Sequence, residues 1–263
     1  MFGIPRETAY DVKFRLFGIP FRIHPLFWAV AVLFSPFLRN FEDFYMLLAG
    51  LCGWILAWML TFTIHELGHA LVIKYVYGAN PAIIFYGFGG LTVHQPFYKR
   101  IPSNGGRMLI SFAGPLAQLS STALLLGAFW VCGVEPRLTD TVNRIGPIPI
   151  PMILPNWLPP LNYPMLLNAY FYFMYGFIWM GIAWSVLNLL PIYPLDGGQI
   201  VRSFCQKLDS IGGVRTSLWI SIICAIAMLA FAFRDGNQFI AIFFGIFAFQ
   251  NFQELNMPRR GFY

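Results

Sequence analysis

Charge is the property that this sequence has least of. Asp, Glu, Lys and Arg make up 11% of its 263 residues, whereas a soluble globular domain is about a quarter charged. Apolar residues account for 58%, aromatic residues for 18%, and the mean hydropathy is +0.64. This composition excludes an ordinary water-soluble globule, and it also excludes disordered chains, collagen and coiled coils, which are polar or strictly periodic. An integral membrane protein is the class that remains.

Disulfide bonds, a secretory signal and a nucleic-acid partner are not expected either. The four cysteines form no C-x-x-C pair, so neither a disulfide framework nor a thiolate metal site is indicated. The first 25 residues carry six charged side chains and no short apolar core, so a secretory signal is not expected. The net charge of +6 comes from basic residues scattered between apolar stretches, which indicates orientation in a bilayer rather than a nucleic-acid partner.

Long apolar runs are what the sequence does have, and six of them are candidate membrane spans. They cover about residues 25–38, 44–77, 108–134, 165–190, 214–233 and 239–255. A span needs about 20 apolar residues, so the first run is short and the second is expected to project from the hydrocarbon near Lys74. Thirteen of the 17 Lys and Arg residues lie on inside segments if the N-terminus is inside. This bias predicts a protein of the cell membrane with both termini in the cytoplasm.

The connections between these runs have a local character. Residues 82–95 are apolar and aromatic with three central glycines, which predicts a β-hairpin. Apolar and charged residues alternate over 11–16, which predicts a half-buried strand, and the eight prolines of about 135–164 exclude a single helix from that outside loop. We therefore predict an all-α polytopic membrane protein with six transmembrane helices and a small β-hairpin or sheet on the cytoplasmic face. A cytoplasmic segment of residues 1–24 precedes a core of residues 25–263.

The first chemically informative cluster is an H-E-x-x-H sequence in the second predicted span, formed by His65, Glu66 and His69. Residues four apart lie on one face of a helix, so both imidazoles can reach one metal ion while Glu66 stays beside it. This pattern is typical of zinc hydrolysis, in which two His ligands leave a position for water and a carboxylate takes the proton. Two structural histidines are the other interpretation, and it is the weaker one because each polar group inside a membrane would need its own partner.

A catalytic zinc ion needs a third protein ligand, and the segment 188–198 (NLLPIYPLDGG) offers an acid beside a predicted span. Its two prolines prevent a regular helix and its two glycines allow sharp turns, so Asp196 is expected where a span is broken. Irregular backbone at membrane depth is tolerated where it lines a cavity or is buried in protein. Spans two and four both end on the predicted inside, so Asp196 and the H-E-x-x-H cluster are expected at a similar depth.

Together these residues resemble the site-2 protease family of intramembrane zinc metalloproteases. The residues that match the family pattern are His65-Glu66-x-x-His69, Asn188-x-x-Pro191-x-x-Pro194-Leu195-Asp196-Gly197-Gly198, Ile23-His24-Pro25-Leu26-Phe27, Gly89-Gly90 and Ala113-Gly114-Pro115. They extend from about residue 12 to residue 200. Gln118 is a departure, because the family often has Asn there. The PDZ and nucleotide-sensing domains of many members are also missing, so a minimal core with no soluble regulatory domain is expected.

The resemblance implies a set of site residues and an activity. His65, His69 and Asp196 would be the ligands of one zinc ion per chain, and Glu66 would be the general base. The implied reaction is hydrolysis of a peptide bond in or near the transmembrane segment of a single-pass membrane protein, as in regulated intramembrane proteolysis.

Four further residues are candidates for substrate binding. A substrate helix must unwind before it can be cut, and an exposed strand is a physical way to hold it. The segment with Gly89, Gly90 and Leu91 is a candidate edge for that strand, because glycine permits close backbone approach. Asn188 either bonds the substrate or an oxyanion, or ties the broken helix to its neighbour.

Two other classes of function stay open at this level. A zinc or cation transporter would use the same ligands as a transit site, although transport calls for several sites along a path. A non-catalytic membrane scaffold that binds single-pass proteins is the third class, and the intact motif disfavours it. His24 and His94 are more simply interfacial or packing residues than ligands.

Overall fold

The computed structural model describes residues 6–36, 43–87, 89–94, 102–132 and 164–257, with the side chains of Pro164 and His94 left aside. The proline-rich loop predicted at about 135–164 lies outside these residues up to residue 163. The predictions for that loop, and the boundary at residue 24 between the two predicted segments, stay predictions.

The described chain contains seven α-helices and four β-strands. The helices are α1 (Pro25–Leu33), α2 (Phe44–Leu71), α3 (Asn104–Val131), α4 (Pro164–Asn188), α5 (Asp196–Leu208), α6 (Gly213–Arg234) and α7 (Gln238–Asn256), and the strands are β1 (Val12–Leu16), β2 (Ile19–Ile23), β3 (Pro81–Tyr86) and β4 (Gly89–His94). Several helices are capped at their N-terminus by a short polar side chain. Asp43 caps α2, Ser103 caps α3 and Asn237 caps α7, each accepting a hydrogen bond from a backbone N–H of the first turn.

Four described helical segments are long and apolar enough to cross a membrane. They are Phe44–Val76, which continues α2 through one π-helical turn, Asn104–Val131, Met165–Asn188 and Gly213–Arg234. The other two predicted spans are not confirmed. In the predicted span at 25–38 the described residues form a helix of only nine residues, α1. The predicted span at 239–255 lies in α7, whose C-terminal half carries four amide side chains and one carboxylate.

The small sheet that the sequence predicts is confirmed, and it has four strands in the order β1-β2-β3-β4. β1 pairs with β2 and β3 pairs with β4 in antiparallel hairpins, while β2 and β3 run parallel. Phe21, Ile83 and Phe85 are buried against an aromatic cluster that includes Phe27 of α1 and Phe62 of α2. The sheet therefore packs against the same helix that carries the H-E-x-x-H cluster.

Helix α2 is the centre of the molecule, and small residues allow its neighbours to approach closely. A Cβ atom on Gly53 would overlap the backbone of Ala169 in α4, and one on Gly68 would overlap the backbone of Ala113 in α3. Close approach of backbones at small residues is a common basis of helix association in membranes. It brings α3 and α4 against the face of α2 that contains His65.

The chain breaks where the sequence predicts it. α4 ends at Asn188, an irregular loop of seven residues follows, and α5 begins at Asp196. α6 and α7 are joined by three residues and pack along each other, with Ile192 of the loop buried between them beside Phe244 and Phe247. The loop that precedes Asp196 is thus held within a group of three helices.

Candidate metal centre

Three buried side chains from two helices converge on one point. His65 Nε2 lies 3.2 Å from His69 Nε2 and 3.1 Å from Asp196 Oδ2, and His69 Nε2 lies 3.4 Å from the same oxygen. Donor atoms around a tetrahedral zinc ion with bonds of about 2.0–2.1 Å stand about 3.3–3.4 Å apart. The spacing of the three atoms therefore fits the residues to a zinc ion.

The other nitrogen of each ring fixes its orientation. His65 Nδ1 lies 2.9 Å from Gln118 Oε1, and His69 Nδ1 lies 2.7 Å from the carbonyl oxygen of Ile110. Since an oxygen of either kind can only accept a hydrogen bond, both Nδ1 atoms must carry the proton in the neutral rings. Each Nε2 atom is then left with a free lone pair, as is typical of a histidine that binds a metal.

Gln118 connects His65 to the neighbouring helix α4. Its side chain is 1% exposed, and its Oε1 atom also accepts a hydrogen bond from Ser185 at 2.9 Å. Its Nε2 atom donates to the carbonyl of Met180 at 3.2 Å. The amide at position 118 thus reaches the His65 ring from α3 and is held in place from α4.

Glu66 is buried on the side of α2 that faces β4. The Thr92 hydroxyl of β4 donates a hydrogen bond to Glu66 Oε2 at 2.6 Å. A Cβ atom on Gly90 would overlap the Glu66 side chain. Strand β4 therefore lies directly against the carboxylate, and only glycine fits at position 90.

Asp196 is the first residue of α5, where the positive end of the helix dipole favours a carboxylate. The two glycines that follow have a steric reason. Cβ atoms on Gly197 and Gly198 would overlap the backbone of Leu189 and of Ile192. The glycine pair thus lets α5 begin directly against the irregular loop, which brings the Asp196 carboxylate to the histidines.

The residues predicted to bind substrate lie on β4 and at the end of α4. A Cβ atom on Gly89 would be 3.4 Å from the Trp184 ring and 3.6 Å from the Phe62 ring, while Leu91 is 42% exposed. Asn188 donates to the carbonyl of Trp184 in its own helix at 3.0 Å. His24 caps α1 through its Nδ1 atom, which accepts from the N–H of Leu26, and the His94 side chain is outside the described residues.

Sequence reasoning missed Thr92 and underestimated Gln118, although spacing held a signal for both. Gly90 and Thr92 are two apart on a strand, so they share one face, and both meet Glu66. Gly114 and Gln118 are four apart on α3, so they share one helix face. A Cβ atom on Gly114 would overlap the His69 ring.

Comparisons with known proteins agree with this geometry. The sequence model of peptidase family M50 matches residues 53–233, which contain His65, His69 and Asp196. A zinc metalloprotease of Methanocaldococcus jannaschii is 26% identical over 204 residues, which are 75% of this chain and 46% of that protein. The chain thus spans about half the length of this relative.

A solved structure gives the same result for the fold. The site-2 protease from Methanocaldococcus jannaschii superposes with a TM-score of 0.51 over 97% of this chain and 99% of that chain, at 22% identity. The resemblance to site-2 proteases is confirmed by these matches. Because the family model covers well over half of the sequence, this chain belongs to peptidase family M50.

Proposed function

We propose that this chain is an intramembrane zinc metalloendopeptidase of the H-E-x-x-H type, with one zinc ion per chain. In this proposal it hydrolyses a peptide bond in or near the transmembrane segment of a single-pass membrane protein. The observation that supports it is the convergence of His65 Nε2, His69 Nε2 and Asp196 Oδ2 beside the buried carboxylate of Glu66. Two carboxylates also match the double charge of a zinc ion, which reduces the cost of burying them.

The proposed mechanism assigns one task to each residue. When bound by His65, His69 and Asp196, zinc supplies Lewis-acid chemistry that acidifies water and polarises the peptide carbonyl. Glu66 accepts the proton of the attacking water and returns it to the nitrogen of the leaving amine. Thr92 holds one oxygen of the Glu66 carboxylate in place and leaves the other oxygen for proton transfer.

We propose that the substrate is bound as an added strand on β4. Among the described residues, the outer edge of β4 has no strand partner, so its backbone groups are available for pairing. Gly89, Gly90 and Leu91 would line this edge, and Asn188 would face the same space from the end of α4. A substrate bound there would lie next to Glu66, because β4 itself contacts that side chain through Thr92.

We propose the six-pass topology with both termini in the cytoplasm of the cell membrane. Helix α7 supports it, since α7 packs along α6, which is itself apolar enough to span. Helix α1 supports it through Phe27, Val30 and Ala31, which are buried against the central aromatic cluster. Reporter fusions after each helix would test this arrangement, and an outside position for residue 257 would contradict it.

The test of function is cleavage of a co-expressed panel of single-pass membrane proteins, combined with metal analysis of the purified chain. Glu66→Gln should abolish cleavage and keep zinc, while Asp196→Asn should lose both. Cation flux that survives Glu66→Gln would favour a transporter instead. Zinc binding without cleavage of any panel member by the wild type would favour a non-catalytic scaffold.

A further inference from the structure

Tyr193, three residues before Asp196, is held from three helices. Its backbone N–H donates to Ser221 Oγ of α6 at 3.0 Å, and its carbonyl accepts from Asn251 Nδ2 of α7 at 2.6 Å. The guanidinium carbon of Arg202 in α5 lies 3.7 Å from the centre of the tyrosine ring. The backbone and the ring of one loop residue are therefore both engaged by the surrounding helices.

Asn251 bonds both this loop and its own helix through one NH₂ group. It is 1% exposed, and its Nδ2 atom also donates to the carbonyl of Phe247 at 2.8 Å. Because both neighbouring groups are carbonyls, the NH₂ group of the amide must face them. Its Oδ1 atom then has no partner within the described part of the chain. A buried amide oxygen without a partner is unfavourable. The hydrogen bond from the NH₂ group to the carbonyl of Tyr193 offsets this cost.

Arg202 is held between the Tyr193 ring and a carboxylate of α7. Its Nη2 atom donates to Glu254 Oε1 at 2.9 Å. Glu254 is three residues after Asn251, so the two side chains lie on the same face of α7. The planar guanidinium can stack on the ring and bond the carboxylate at once, which a lysine ammonium cannot do. Helix α7 thus reaches Tyr193 twice, directly and through Arg202.

Among the N–H groups of this loop, that of Tyr193 is the one whose partner comes from another element, because those of Leu189, Leu190, Ile192 and Leu195 donate to backbone carbonyls of residues 185–192. Pro191 and Pro194 have no N–H, and the loop between α4 and α5 is not helical. The position of Tyr193 therefore depends on groups from outside the loop. Asp196 follows directly, so a shift of the loop would move its carboxylate away from the histidines.

We propose that Asn251, Arg202 and Glu254 are positioning residues that hold Asp196 in the geometry of a metal ligand by fixing Tyr193. We call this set the Tyr193 clamp. The inference rests on the proposed function, in which Asp196 is a zinc ligand. It extends the metal centre to α7, which lies beyond the residues 53–233 that the family model matches.

The test measures zinc affinity by competition with a chelator series, on the full chain purified in detergent. Asn251→Leu and Arg202→Ala should each raise the zinc dissociation constant about 10- to 100-fold, which is the usual effect of losing a residue that supports a metal ligand. The matched control Gln253→Leu should leave the dissociation constant within about twofold of the wild type. Gln253 is an exposed amide of the same helix. The melting temperature of the zinc-free protein, measured in parallel, should be the same for Arg202→Ala and the wild type.

Each outcome decides the proposal. An unchanged zinc affinity in both clamp variants overturns it. It is also overturned if the zinc affinity falls and the zinc-free variant loses as much stability, in free energy, as it loses in zinc binding. If Asn251→Leu does not fold, Arg202→Ala decides alone, because the Arg202 side chain is 17% exposed rather than fully buried. If Asp196→Asn retains full zinc affinity, the proposed ligand set fails rather than the clamp.

Discussion

Thr92 Oγ1 lies 2.6 Å from Glu66 Oε2, which joins the edge strand of the sheet to the carboxylate beside the candidate metal centre. The same hydroxyl is 3.2 Å from the backbone carbonyl of Glu66. A hydrogen bond from a hydroxyl to a carboxylate is short and strong. Since the strand that carries Thr92 is also the proposed substrate edge, this hydrogen bond fixes the position of the proposed base relative to the proposed binding strand.

The first prediction concerns this hydroxyl. Thr92→Val keeps the shape of the side chain and removes the donor, so Glu66 loses its alignment. We expect kcat to fall about 10- to 100-fold, less than the loss of a general base itself, which is about 10²–10⁴-fold. KM and zinc content should stay near the wild-type values, because neither the strand edge nor the ligands change. Steady-state cleavage of a panel substrate measures both constants.

Two variants control this experiment. Thr92→Ser restores the donor and should recover most of kcat. Thr61→Val removes another buried hydroxyl of the same region, one that donates only to the carbonyl of Ala57 within α2, and kcat should not change. Equal losses in Thr92→Val and Thr92→Ser would show that the hydroxyl is not what matters.

A second prediction compares two glycines of helix α3. A Cβ atom on Gly114 would overlap the His69 ring, whereas one on Gly127 would meet no atom within 4 Å. Gly114→Ala should therefore displace His69 and weaken zinc binding about 10-fold or more, the scale of an outer-shell defect. Gly127→Ala should keep the affinity and add about 1 kcal/mol of helix propensity. Chelator competition on both proteins gives the answer, and equal affinities would mean that His69 does not bind the ion.

The two motifs and the sheet could be predicted because their signals are local. The spacing of His65 and His69 fixes both on one helix face, and two prolines with two glycines fix the break at Asp196. The alternation over 11–16 and the glycines of 82–95 likewise predicted strands that the sheet contains. Each inference needed only a few neighbouring residues and the geometry of one element.

The partners of those residues could not be predicted, because they depend on packing between distant elements. The spacing of Gly114 and Gln118 places both on one helix face, but it does not indicate that Gln118 bonds His65, 53 positions earlier. For a related reason, hydropathy alone does not give the number of spans. Hydropathy treats Asn251 as a cost to membrane insertion, yet this residue is buried against Tyr193 and does not face lipid.

A third prediction tests the proposed substrate strand. Single prolines at Leu91 and Val93 remove backbone N–H groups from β4 and stiffen it, so a substrate strand could no longer pair along it. We expect cleavage to fall at least about 10-fold while zinc content is retained, and Leu91→Ala should cost much less because it keeps the backbone donor. Cleavage rates and metal content of the purified variants check this. Undiminished turnover in both proline variants would exclude strand addition at β4.

The last prediction concerns removal of the metal. The proposed ligands come from α2 and from α5, about 130 positions later, so a bound ion would cross-link two helices that are far apart in the sequence. Binding to the folded state alone should add about 4 kcal/mol to the free energy of unfolding when free zinc is 1,000 times its dissociation constant. Chelation should therefore lower the melting temperature of the wild type and of Glu66→Gln, and it should have little effect on Asp196→Asn, which has already lost one ligand. Thermal unfolding with and without chelator measures this, and an equal shift in Asp196→Asn would place the stabilising ion elsewhere in the molecule.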